Sequence, residues 1–112
     1  LRGLGLRSTK GLTDSNIRIL ENSKLEAINV ESTDISDEGL RVLAKMSELS
    51  YVSIGRSKVT MAGIANLISL RKLKMLNYEE SATITERGMA KLAIKYPSVR
   101  FCNVLKSEQS FD

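Results

Sequence analysis

Few residues in this 112-residue chain can do chemistry, and their spacing decides what they can do. There is no histidine, which excludes imidazole-based triads and histidine-containing metal sites. The single cysteine, Cys102, falls in a column otherwise filled by Leu4, Ile28, Val52 and Leu76, so it reads as a buried structural thiol. Glu79 and Glu80 are adjacent on a predicted strand, whose neighbours point to opposite faces, so they make a poor acid–base pair. Glu86 follows Thr85 at a predicted helix start, where the helix dipole favours an acid. Gly39, Gly63 and Gly88 lie whole units apart, which does not make a phosphate-cradling loop; they are expected where a helix start passes close to other backbone. No catalytic residue, cofactor or metal ligand is expected, and the chain is read as non-enzymatic.

A unit that the chain repeats positions these residues. Leu25 to Glu48, LEAINVESTDISDEGLRVLAKMSE, places Leu25, Ile28 and Val30 at unit positions 1, 4 and 6, Thr33 at 9 and Ile35 at 11, and then Ser36-Asp37 ahead of Leu40 and Leu43. This pattern predicts a short strand, a tight turn and a helix, with Ser36 as N-cap and Asp37 and Glu38 in the first turn. Units start at Leu1, Leu25, Leu49, Leu73 and Val99, giving spans 1–24, 25–48, 49–72, 73–98 and a partial 99–112. Position 6 reads Leu6, Val30, Ile54, Tyr78, Val104, and position 9 reads Thr9, Thr33, Ser57, Ser81, Ser107. Helices open at Thr13, Ser36, Thr60 and Thr85. The fourth unit is two residues longer, with one extra residue assigned to the turn before Ile84 and one to Tyr96-Pro97, where proline ends the helix. One such unit cannot bury its own apolar side, so the units must stack.

At this length the chain is at most one domain. A hydrophobic share of 42% supports a packed core, and an aromatic share of only 4% means that aliphatic rows fill it. No apolar run approaches the length of a membrane span, and no signal peptide is visible. One cysteine rules out an internal disulfide and no Asn-x-Ser/Thr sequon occurs, so an intracellular compartment, cytoplasm or nucleus, is expected. The net charge of +4, from 17 basic and 13 acidic residues, is spread along the chain, which argues against nucleic acid as a partner. The chain opens on a strand residue without an initiator methionine and is read as a fragment of a longer protein, with self-association possible through uncapped ends.

These columns resemble a leucine-rich repeat, whose signature L-x-x-L-x-L-x-x-N/C-x-L is matched by Leu25, Ile28, Val30, Thr33 and Ile35. The tail of the unit, Ile35 to Ala44, resembles the cysteine-containing subclass (F-box and ribonuclease-inhibitor-like), although position 9 is always Thr or Ser. The resemblance implies an α/β right-handed solenoid, or horseshoe, with a parallel sheet of about five strands on the concave side and helices on the convex side. The fold hosts many functions, and the reading here is a non-catalytic scaffold for protein–protein interaction that binds a partner through the concave sheet face. The subclass suggests the substrate-recognition part of an F-box-type ubiquitin ligase as an alternative, and a basic surface of Arg41, Lys45, Arg71 and Lys91 suggests RNA or membrane binding as another.

In such a sheet positions 3, 5 and 7 face away from the helices. Position 3 then gives an apolar strip of Tyr51, Met75 and Phe101, the expected anchor for a protein partner. Position 5 gives Asn29, Ser53, Asn77 and Asn103, suited to hydrogen-bonding a polypeptide backbone, and position 7 gives Glu31 and Glu79 as an acidic edge. No small-molecule substrate is expected.

Overall fold

A computed structural model describes residues 3–78 and 84–103. Five three-residue strands form one parallel sheet in chain order: β1 Gly3–Gly5, β2 Ala27–Asn29, β3 Tyr51–Ser53, β4 Met75–Asn77 and β5 Arg100–Cys102. Between them lie a 3-10 turn at Asn16–Leu20 and three helices, α1 Asp37–Leu43, α2 Met61–Leu67 and α3 Glu86–Lys95. The architecture is α/β, each crossover laying a strand beside the one before it. Among the described residues no helix is long and apolar enough to cross a membrane.

Strand alternation separates core from surface. Ile28, Val52 and Leu76, at the centres of β2, β3 and β4, are buried, whereas the residues flanking them are half-buried or exposed on the other face. A three-residue strand supplies only one such core residue, so the core is completed by the segments that follow. Val30 and Ile54 continue the strands inward, Ile35 and Val59 precede the helices, and Leu40, Leu43, Ile64, Leu67 and Met89 come from the helices themselves. Each fully buried aliphatic side chain contributes about 1.5–3 kcal/mol, which is why a core almost free of aromatics suffices.

Turn chemistry is repeated as strictly as the core. Ser8, Ser32 and Arg56 carry φ values of 58, 56 and 51°, the left-handed residue that takes the chain out of each of the first three strands. The Thr33 hydroxyl donates to the Val30 carbonyl at 2.8 Å, and the Ser57 hydroxyl donates to that of Ile54 at 2.6 Å. The hydroxyl at position 9 thus ties the turn to its own strand in the second and third units.

The helix starts carry the links between units. Ser36, Thr60 and Thr85 are extended N-caps whose hydroxyls accept from the N–H of Glu38, Ala62 and Gly88. The acid beside the preceding unit's cap residue reaches forward to them. One Asp14 oxygen accepts from the Ser36 N–H at 2.8 Å and the other accepts from its hydroxyl; Asp37 does the same to Thr60, with its N–H at 2.7 Å. These carboxylates occupy the space that a Cβ would take at Gly39 and Gly63, the Asp14 oxygen lying 2.5 Å from the Gly39 position. The glycines are therefore required, as their spacing suggested, but the close neighbour is a carboxylate and not backbone. In the third unit Met61 stands where the acid would be, its methyl group 3.1 Å from the Cβ position of Gly88. In the first unit Asn16 replaces the glycine; its Oδ1 accepts from the Thr13 N–H at 2.8 Å and its Nδ2 donates to the Gly11 carbonyl at 2.7 Å.

The last strand corrects the sequence-derived register. β1 to β4 pair residues 24 apart, such as Ala27 with Tyr51, but β5 pairs Met75 with Arg100, Leu76 with Phe101 and Asn77 with Cys102, a step of 25. Cap to following strand is 15 residues in three successive units, from Ser36 to Tyr51, Thr60 to Met75 and Thr85 to Arg100. The one extra residue therefore lies before Thr85, and Pro97 adds none.

Gly39→Ala and Gly63→Ala are expected to lower unfolding stability by about 1–3 kcal/mol each, as overpacking against a fixed carboxylate does. Gly88→Ala, facing the flexible end of Met61, should cost less. Urea midpoints at unchanged m-value check the ranking, and equal stability of all three variants would contradict it.

Candidate functional site

The sheet face turned away from the helices carries two columns. In the observed register the first is Gly3, Ala27, Tyr51, Met75 and Arg100, and the second is Gly5, Asn29, Ser53, Asn77 and Cys102. Tyr51 is 50% exposed, among the described residues the one large apolar side chain of this face so open, and Met75 beside it is half-buried. Next to them the face drops. Gly5 and Ala27 have little or no side chain, and a Cβ built on Gly5 meets nothing within 4 Å. The result is an apolar depression of about 340 Å³ lined from β1 to β4, with Asn29, Ser53 and Asn77 as its polar members.

Phe101 is not part of this face. A one-residue shift in strand register sends every side chain to the opposite side of the sheet. Phe101 accordingly occupies the core position opposite Leu76, packs half-buried against the core, and borders a recess of about 160 Å³ with Tyr78, Met89 and Ala93. The same shift brings Cys102 out of the expected core column to pair with Asn77, as a half-buried free thiol. Asn103 leaves the amide column, and its Nδ2 donates to Glu86 at 3.3 Å. The constant spacing from cap to strand is the signal that would have found the shift.

Glu31 is not an open acidic edge either. It is 6% exposed, accepts from the Ser53 hydroxyl and from Asn77 Nδ2 at 3.1 Å, and lies 3.5 Å from Arg7 Nε. Asn29 Oδ1 accepts from the Glu31 N–H at 2.9 Å, and Asn77 Nδ2 also lies 3.1 Å from Ser53 Oγ. Ser53 and Asn77 are thus joined in a clamp around one carboxylate, while Asn29 holds the backbone N–H of the same residue. Hydrogen bonds to a charged group contribute about 1.5–3 kcal/mol each, so the clamp stiffens the rim of the depression. Glu79 lies outside the described residues.

At the other end of the core, the Tyr78 hydroxyl donates to Glu86 at 3.2 Å. Burial, assisted by the Glu86 charge, pushes the Tyr78 phenol up to about 12. Of the basic residues singled out in the sequence, Arg41 lies 3.8 Å from Glu38 and Lys45 lies 3.9 Å from Glu21. Arg71 borders a groove in which Lys72 and Lys74 alternate with Glu26 and Glu48, with Lys72 Nζ 2.8 Å from Glu48. Lys91 is exposed on α3. The cations are interleaved with acids instead of forming one stripe. Among the described residues there is no group of three or more His, Cys, Asp or Glu side chains able to hold a metal ion.

No protein-family model matches the chain, and no curated protein matches it.

Glu31→Ala is expected to destabilise the fold by about 1–3 kcal/mol, because it leaves the Ser53 and Asn77 donors without their acceptor. Arg7→Ala removes only a solvent-screened partner and should cost no more than about 1 kcal/mol. Chemical denaturation of both variants checks this, and an equal loss would place the burden on the ion pair. The Tyr78 phenol titrates near 10 when unfolded and about 12 when folded, so its contribution is present below pH 10 and is lost as the pH rises toward 12. Stability measured across that window should fall less steeply in Tyr78→Phe than in the parent chain.

Proposed function

We propose that this chain is a stack of leucine-rich-repeat units acting as a non-catalytic scaffold for protein–protein interaction, with the sheet as its concave side and the helices as its convex side. Four in-register strand pairs one unit apart, with a cap-to-acid link from the first unit to the second and from the second to the third, support that architecture. The observation that carries the function is Tyr51, half out of water beside Met75 at the edge of an apolar depression. An aromatic ring in that setting presents a large rigid contact area at little conformational cost, as protein-binding anchors do.

The carboxylates of Asp14, Asp37, Glu31 and Glu86 support a non-catalytic role, since each accepts structural hydrogen bonds. A single free thiol supports a reducing, intracellular setting. Recognition of substrates for an F-box-type ubiquitin ligase is a narrower form of the same proposal and rests on the repeat subclass alone.

The test is affinity capture from a cell extract with the parent chain and with a Tyr51→Ala, Met75→Ala double variant of matched melting temperature. A protein held by the parent and lost from the variant supports the proposal. Identical captured proteins for both would move the binding surface elsewhere.

A further inference from the structure

We infer that the open sheet face takes one kind of occupant: an extended, acidic polypeptide segment that crosses the strands and carries an apolar side chain near its middle. The inference rests on the protein-binding proposal above and adds the chemistry of the partner.

Shape is the first argument. The depression is lined by residues of four successive strands, with the small Gly5 and Ala27 on one side and Tyr51 and Met75 on the other. It therefore runs across the strands, and a segment seated in it crosses them too. From β1 to β5 there are four inter-strand steps of about 4.8 Å, roughly 19 Å, which an extended chain covers in about six residues. The middle of such a segment lies over the apolar depression and its ends lie over β1 and β5.

Charge is the second argument. Arg7, two residues beyond Gly5, has a side chain 56% exposed, and Arg100, opposite Met75 on β5, is exposed with no acid against it among the described residues. A guanidinium offers five donors in a fork, so the contact of Arg7 Nε with Glu31 leaves donors for a second carboxylate. Glu31 is the one acid at the described positions of this face, and it is buried and already satisfied by Ser53 and Asn77. At the described positions the accessible charge is therefore positive at both ends of an apolar middle. Carboxylates at both ends of the segment complement it, whereas a basic segment meets like charge at each end.

The experiment pans a display library of random dodecapeptides at low salt on the full 112-residue chain. It is repeated on Tyr51→Ala and Arg100→Glu variants with matched circular dichroism and melting. Arg100 is an exposed end-of-sheet residue, so its reversal leaves the core untouched. The expected selection carries Asp or Glu on both sides of a Leu, Ile, Phe or Trp, and it is lost on Tyr51→Ala. By fluorescence anisotropy the best sequence should bind Arg100→Glu about tenfold more weakly, with a shallower salt dependence. Neutral or basic sequences that still need Tyr51 would overturn this inference and leave the protein-binding proposal standing. Sequences indifferent to Tyr51, or no enrichment over bare support, would overturn both.

Discussion

A carboxylate in each of the first two units, held between a backbone N–H and a hydroxyl of the next unit, sets the spacing on which this fold depends. Asp14 reaches Ser36 and Asp37 reaches Thr60, and in both cases the acceptor atoms sit over the start of the following helix. The bond needs room, which is why Gly39 and Gly63 have no side chain. It also needs a donor pair at a fixed place, which is why the helix cap is Ser or Thr. Once the helix starts are pinned in this way, α1 packs along α2, and their leucines and isoleucines fall into the rows left by three-residue strands. Helix capping, glycine placement and core packing are thus one constraint seen from three sides.

The open face of the sheet is governed by a different rule. A parallel sheet exposed on one side must satisfy polar groups there without burying them under helices. Here the amide and hydroxyl of Asn77 and Ser53 turn toward Glu31, and Asn29 caps the Glu31 N–H. Much of the polar column is engaged internally, and among the described residues the groups offered outward include the aromatic and thioether groups of Tyr51 and Met75 and the guanidinium groups of Arg7 and Arg100. What the face presents is therefore less polar than its composition suggests.

The stacking unit was legible in the sequence because each of its positions answers to a separate physical demand. Ile28, Val52 and Leu76 read as core, Ser36, Thr60 and Thr85 read as caps, and the structure places them so. Phe101 was not legible by the same means. Val99, Phe101 and Cys102 are all apolar enough for the core row, and Pro97 suggested an inserted residue where none exists; hydropathy alone leaves two registers open, and only the fixed run from cap to strand separates them. Glu31 was misread for another reason. A single carboxylate at a strand end looks solvent-facing until the side chains of the next two strands are placed beside it.

The chain of acid-to-cap links stops at Met61. α1 is fastened to its neighbours on both sides by charged hydrogen bonds, whereas the contact between Met61 and the start of α3 is apolar, and α3 does not pack along α2 as α2 does along α1. Stability is not uniform across a structure, and a helix held by fewer packed contacts opens at lower free energy. α3 is therefore expected to exchange its amide hydrogens ahead of α1 and α2. Compliance is thus expected on the α3 side of the sheet, where β5 holds Arg100.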